Sequence, residues 1–236
     1  MSVSMAFTSI ILPFYNIPLV ISHWSSAELN GVVRQQLMGN YLPTDFYTWR
    51  SARQTSFLAG RAAVMQWQDR FAKTSFIVPK GQDGSPQWPA GWLGSISHCS
   101  DEAIAVLYCQ CEQSHPVDLK GLGVDLENLA QANQLVMSAD LLGTASEHLL
   151  FQNLGFEQNE ALLAIFSIKE SIYKAIYPAL QRFVDFLEVE IVMLTSEGYW
   201  QARPLSPIDK SLKGSSELFG IIWQTEDKLY SIGARV

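Results

Sequence analysis

Four side chains carry the strongest chemical signal in this sequence. Glu170 and Lys174 lie one helical turn apart within Phe166-Ser167-Ile168-Lys169-Glu170-Ser171-Ile172-Tyr173-Lys174-Ala175, and Asp125 and Glu127 alternate in Gly123-Val124-Asp125-Leu126-Glu127. An acid and a base four residues apart usually form a solvated ion pair. Here the helical stripe Ala161, Ile165, Ile168, Ile172 and Ile176 is core, while Phe166, Glu170 and Lys174 share nearly the opposite stripe of a helix that is apolar almost all round. That places the charged stripe against an interior cleft. Asp125 and Glu127 would share one face of a strand, roughly 7 Å apart along the backbone. Held close, two carboxylates raise each other's pKa unless a cation neutralises them. Three carboxylates with no matching His or Cys set suit the oxygen-rich shell of Mg2+.

Phosphate is the natural further ligand of such a cation. Groups that could hold it are Lys174, His98, and Arg53 and Arg61, which lie eight residues apart on nearly one face of a helix. Metal-assisted attack on a phosphoanhydride is the chemistry this set describes, with a carboxylate accepting the proton of the attacking hydroxyl. A serine-protease arrangement is excluded for Ser97 and His98, because neighbours on a strand point to opposite faces.

The elements that must position these groups follow from pattern. Ser51 to Phe71 reads as a helix; Thr74 to Val78 as a short strand; Lys80 to Gly91 as a Gly/Pro-rich loop; Leu93 to His98 and Ala103 to Cys109 as a hairpin. After a polar connection from Gln110 to Lys120 come a strand at Gly121 to Glu127, helices at Asp140 to Leu154 and Glu157 to Tyr177, and strands at 186–194, 199–202, 218–224 and 229–236, with Pro178 closing the long helix. Short helical pieces are expected around Ala27 to Met38. The order is α+β, without regular βαβ alternation, and divides into halves 1–118 and 119–236.

Composition narrows the partners. The net charge of −7 is confined to the second half: residues 1–120 hold 8 basic and 8 acidic residues, residues 121–236 hold 8 and 15. An acidic chain without a basic run is a poor nucleic-acid binder. Three cysteines, Cys99, Cys109 and Cys111, are too few for a disulfide framework and point to a reducing, cytoplasmic setting; zinc at Cys109, Cys111 and His115 would lack a second matched pair. Met1 to Trp24 is apolar but lacks a positive start and is broken by Pro13, Asn16 and Pro18, so it reads as neither signal peptide nor membrane span.

Taken in order, Phe57-Leu58-Ala59-Gly60-Arg61-Ala62-Ala63, Pro86-Gln87-Trp88-Pro89-Ala90-Gly91-Trp92-Leu93-Gly94-Ser95, Ser95-Ile96-Ser97-His98-Cys99, the Asp125-x-Glu127 strand and the Glu170/Lys174 helix resemble the Sfp-type 4'-phosphopantetheinyl transferases, in the subgroup typified by enterobactin synthase component D. The resemblance spans about Ser51 to Pro178. It implies two pseudo-twofold related halves, each a small antiparallel sheet with a long helix, binding coenzyme A in the cleft between them. It further implies Mg2+ on Asp125, Glu127 and Glu170, with Glu170 and Lys174 as the catalytic pair. Coenzyme A would be held by Arg53, Arg61, Ser97, His98 and Lys174, with a secondary part for Lys169. The phosphopantetheine arm would pass to a serine of an apo carrier protein of a peptide, polyketide or fatty acid synthase, as in siderophore or secondary-metabolite biosynthesis, releasing 3',5'-ADP. A monomer is expected. The chain departs from the family at Phe166, where Trp is usual, and at Ser85, where a phosphate-binding Lys or Arg is common. It either binds coenzyme A with one charge fewer or recruits Lys80. Two other readings use the same residues: a Mg2+-dependent nucleotide or coenzyme A hydrolase, and a catalytically silent coenzyme A-binding protein.

Overall fold

A computed structural model describes residues 6–29, 37, 42–110, 117–212 and 217–236. The chain forms two compact units, residues 1–11 with 18–114, and residues 12–17 with 115–236.

The first unit is built on strands β1 (Phe7–Leu12), β2 (Ile17–Ser25), β3 (Trp92–His98) and β4 (Glu102–Cys109), in the sheet order β1-β2-β4-β3. β4 pairs antiparallel with both β2 and β3, and it is buried almost from end to end. Helix α1 (Ser51–Phe71) lays Ala63, Val64 and Trp67 on Ala105 and Leu107. The apolar N-terminus is therefore sheet, an assignment that period-2 reading missed because Pro13 to Asn16 interrupts the alternation.

The second unit carries the strand order β5-β9-β8-β7-β6, from β5 (Gly121–Asn128), β6 (Val189–Leu194), β7 (Tyr199–Pro204), β8 (Leu218–Gln224) and β9 (Lys228–Arg235). Short helices α2 (Ala139–Leu142) and α3 (Ala145–Gln152) precede the long α4 (Gln158–Leu180), and α5 (Ile208–Ser211) follows β7. The stripe Ala161, Ile165, Ile168, Ile172 and Ile176 is buried, as its spacing requires. Each unit is thus an antiparallel sheet with one long helix, the α+β class read from the pattern.

Three local readings need correction. Thr74 to Val78 forms no strand: the Phe76 amide donates to the Gln68 side chain at 3.2 Å instead of to a sheet neighbour. The helix expected over Asp140 to Leu154 is broken at Gly143 and Thr144, where Thr144 starts α3 through a capping box with Glu147. Pro178 sits inside the last turn of α4, which runs on to Leu180 and ends at left-handed Gln181. Most of the helical stretch expected at Ala27 to Met38 lies outside the described residues, as do Cys111 and His115. Among the described residues no helix is long and apolar enough to cross a membrane.

Candidate active site

The approach of α4 to β5 is set by two glycines. A Cβ on Gly123 would fall 1.9 Å from the Ser171 carbonyl oxygen, and one on Gly121 would fall 2.1 Å from that of Ala175. Helix backbone therefore lies directly on strand backbone. Gly121, Gly123, Asp125 and Glu127 share one face by the strand period. The closeness that glycine permits thus brings the two carboxylates up to the Glu170/Lys174 stripe.

Asp125 is 3% exposed and accepts a hydrogen bond from Lys174 Nζ at 2.7 Å; the same ammonium donates to the Val124 carbonyl at 2.9 Å. Burial, and then the charges of Asp125 and Glu170, push Glu127 up to about 7, against the pull of Lys174. Glu170 is raised too, chiefly by burial, with Lys174 lowering it and Asp125 raising it. These acids face one another with too little positive charge between them.

The donor chemistry fits a hard divalent cation, since every candidate ligand is a carboxylate and added positive charge would relieve the repulsion that raises Glu127. As the side chains stand, no three His, Cys, Asp or Glu groups among the described residues are gathered tightly enough to hold a metal ion. The ammonium of Lys174 is the cation that Asp125 contacts.

Beside this cluster Glu170 also lines an apolar pocket of about 130 Å³, with Tyr173, Ile176, Phe183, Val184 and Phe186 on its walls. Phe166 meets Phe186 with ring centroids 5.6 Å apart, so the smaller aromatic at this position still packs the pocket's flank. Lys169, next in sequence to Glu170, is 3% exposed and bonds inward, to the fully buried Glu147 at 2.8 Å and to the Phe186 carbonyl at 2.9 Å. Glu147 further accepts the amides of Thr144 and Ile191, each at 2.8 Å. Lys169 is thus part of the scaffold, and the coenzyme-binding part expected of it is not carried forward. Glu147 was missed because a Glu in a first helical turn ordinarily reads as a cap and nothing more.

The first unit holds a second charged site. Arg53, Arg61, Lys80 and His98 line a pocket of about 220 Å³ together with Trp49 and Phe57. Arg61 stacks on Phe57, its guanidinium carbon 4.5 Å from the ring centroid, and Arg53 lies 4.8 Å from that of Trp49. Burial pulls Arg61 down to about 10, and its Nε is enclosed without a hydrogen-bond partner among the described residues. His98 is exposed at the end of β3, whereas Ser97 is buried on the opposite face. The expected sites therefore form two groups: Asp125, Glu127, Glu170 and Lys174 in one unit, Arg53, Arg61 and His98 in the other.

Comparison with known proteins gives a consistent result. Residues 50–108 match the 4'-phosphopantetheinyl transferase N-terminal domain family, and residues 121–219 match the 4'-phosphopantetheinyl transferase superfamily. Enterobactin synthase component D of Escherichia coli O157:H7 is 30% identical over 178 residues, 75% of this chain and 74% of that protein. The 4'-phosphopantetheinyl transferase Npt of Nocardia iowensis is 25% identical over 146 residues, 62% of each chain. Among solved structures, a holo-(acyl-carrier-protein) synthase from Bacillus anthracis aligns with a TM-score of 0.39 and 16% identity, covering 50% of this chain and 96% of that one.

Proposed function

This chain belongs to the 4'-phosphopantetheinyl transferase superfamily, and on that premise we propose which of its residues carry the transfer of the phosphopantetheine arm of coenzyme A to a carrier-protein serine. The reading rests on one observation above all. Two half-buried carboxyls with raised pKa, Glu127 and Glu170, stand beside Lys174 and the buried Asp125, and Glu170 also faces an apolar pocket.

Glu170 takes the proton of the serine hydroxyl. The serine oxygen forms a bond to the β-phosphorus, the bond from that phosphorus to the bridging oxygen breaks, and 3',5'-ADP leaves with the electron pair. A base held above the ordinary carboxylate range is better matched to a hydroxyl than an exposed Glu. Lys174 moves its charge between Asp125 and the phosphate oxygens. Asp125, Glu127 and Glu170 would hold Mg2+, which when bound supplies positive charge to those oxygens. The apolar pocket shelters the gem-dimethyl and amide portion of the arm from water. Arg53, Arg61 and His98 anchor the nucleotide end.

The acceptor is a carrier domain, and the kinship with enterobactin synthase component D makes a siderophore peptide-synthetase carrier the first to try. The hydrolase and silent-binder readings are not favoured by this kinship, and the complete set Asp125, Glu127, Glu170 and Lys174 argues against silence. The experiment is intact mass of an apo carrier domain after incubation with this protein, coenzyme A and Mg2+, with a parallel sample in EDTA. A gain of one phosphopantetheine arm that disappears in EDTA supports the proposal. Coenzyme A breakdown without modified carrier sinks it.

A further inference from the structure

The cation pocket of the first unit contains a residue that the family motifs do not include. The segment from Pro79 to Gln87 is tied into a tight loop: Gly81 N–H donates to the Ser85 carbonyl at 2.7 Å, Gly84 N–H to that of Gly81 at 3.0 Å, and Gln87 N–H to that of Pro79 at 2.9 Å. Lys80 and Pro86 form an antiparallel bridge across it. The Ser85 hydroxyl turns to Asp83, 2.9 Å from both carboxylate oxygens, and Ser85 does not line the pocket. Lys80 does. Its side chain is 20% exposed, with Nζ 5.0 Å from the Trp49 ring centroid and 3.5 Å from Asp45 Oδ2. Asp45 is itself fixed by the Trp49 indole N–H at 3.0 Å. The Trp49 hydrogen bond ahead of Lys80 holds the Asp45 carboxyl below its usual range, so it is ionised at neutral pH.

Three cationic side chains, Arg53, Arg61 and Lys80, therefore converge with His98 on one small volume, and Arg61 reaches it partly desolvated. That is more positive charge than a single phosphodiester oxygen needs, and it matches a phosphate monoester, which carries nearly two negative charges at neutral pH. Coenzyme A has one such group. Its diphosphate is where transfer occurs and is assigned above to Glu170 and Lys174; its 3'-phosphate is the monoester that remains.

We infer that Lys80 is a specificity-determining residue, the third fixed cation of a pocket that selects the 3'-phosphate of coenzyme A, with Asp45 and Trp49 holding its ammonium in place before the ligand arrives. When the monoester enters, Lys80 exchanges an exposed carboxylate for a dianion flanked by two guanidinium groups. The exchange is favourable because exposed ion pairs contribute little and are screened, whereas several cations on one dianion reinforce one another.

This inference rests on the functional reading above, and its test uses a separate readout. The full chain is titrated calorimetrically with adenosine 3',5'-bisphosphate and with adenosine 5'-monophosphate. The unaltered protein should prefer the bisphosphate by about tenfold or more, the value of one charge-assisted phosphate contact. Lys80→Met should remove about tenfold of that preference while AMP affinity stays within about twofold, and Lys80→Arg should restore most of it. Asp45→Asn should tighten bisphosphate binding, by up to about threefold. An unchanged preference in Lys80→Met, or equal weakening of both nucleotides, overturns the assignment; weaker binding by Asp45→Asn overturns the exchange of the Asp45 contact for the phosphate. Selective nucleotide binding by a protein that modifies no carrier would sink the catalytic roles and leave Lys80 where it is placed here.

Discussion

Arg61 and Lys169 are both cations near the middle of a long helix, and both are pulled toward neutrality by burial. Their surroundings differ in one respect. Lys169 meets a buried carboxylate and a carbonyl, so its charge is balanced from within the chain. Arg61 meets an aromatic face and leaves Nε enclosed without a partner among the described residues. Removing a charge from water costs several kcal/mol unless something compensates. The balanced cation therefore belongs to the scaffold, and the unbalanced one points to a missing anion. Glu127 carries the same imbalance with the sign reversed: a half-buried carboxyl crowded by other acids points to a missing cation.

The comparison can be broken most sharply at Lys169 and its neighbour Glu170. Glu170→Gln is expected to lower kcat by about 10²–10⁴-fold with the thermal midpoint little changed, measured by carrier mass shift and calorimetry. Lys169→Met should do the opposite kind of damage. It leaves Glu147 charged and buried, costing about 3–5 kcal/mol of stability in denaturant titration, and the double change with Glu147→Gln should recover much of that loss. A Lys169→Met protein of unaltered stability and weakened coenzyme A binding would reverse the assignment.

Arg61→Met sharpens the other side. Coenzyme A affinity should fall by about tenfold or more, while stability stays level or rises, because an uncompensated buried guanidinium is replaced by an apolar chain. A large loss of stability would show that Arg61 is structural after all.

The smallest effect is read from pH. Because Glu127 binds its proton more tightly folded than unfolded, its contribution to stability is complete below the ordinary carboxylate range and is lost as pH rises through about 7. Without divalent cation, the thermal midpoint should therefore drift down by a few degrees between pH 5 and 8; Mg2+ or Glu127→Gln should flatten the drift. An identical slope in Glu127→Gln would exclude this group as its source.

The sequence shows much of this because the signals are local. The 3.6-residue stripe of isoleucines locates α4 and its charged face, and the alternation Leu122, Val124, Leu126 orients Asp125 and Glu127 toward one side of β5. What escapes is whatever depends on distant partners. Lys169 resembles its neighbours Glu170 and Lys174 as a motif residue, and only packing against Glu147, 22 positions earlier, separates their tasks. Lys80 is one lysine in a Gly/Pro-rich loop until the loop closes and sets it beside Arg53 and Arg61. The strands β1 and β2 escape because the turn from Pro13 to Asn16 interrupts their alternation.

The fully buried Glu147 carboxylate accepts hydrogen bonds from two main-chain amides 47 positions apart, Thr144 and Ile191. Neither amide can exchange its hydrogen for deuterium without first breaking its bond to Glu147. The two amides should therefore exchange together, at the rate of the collective opening that separates the N-terminus of α3 from β6. Their shared protection would serve as an internal clock for how often the wall behind Glu170 comes apart.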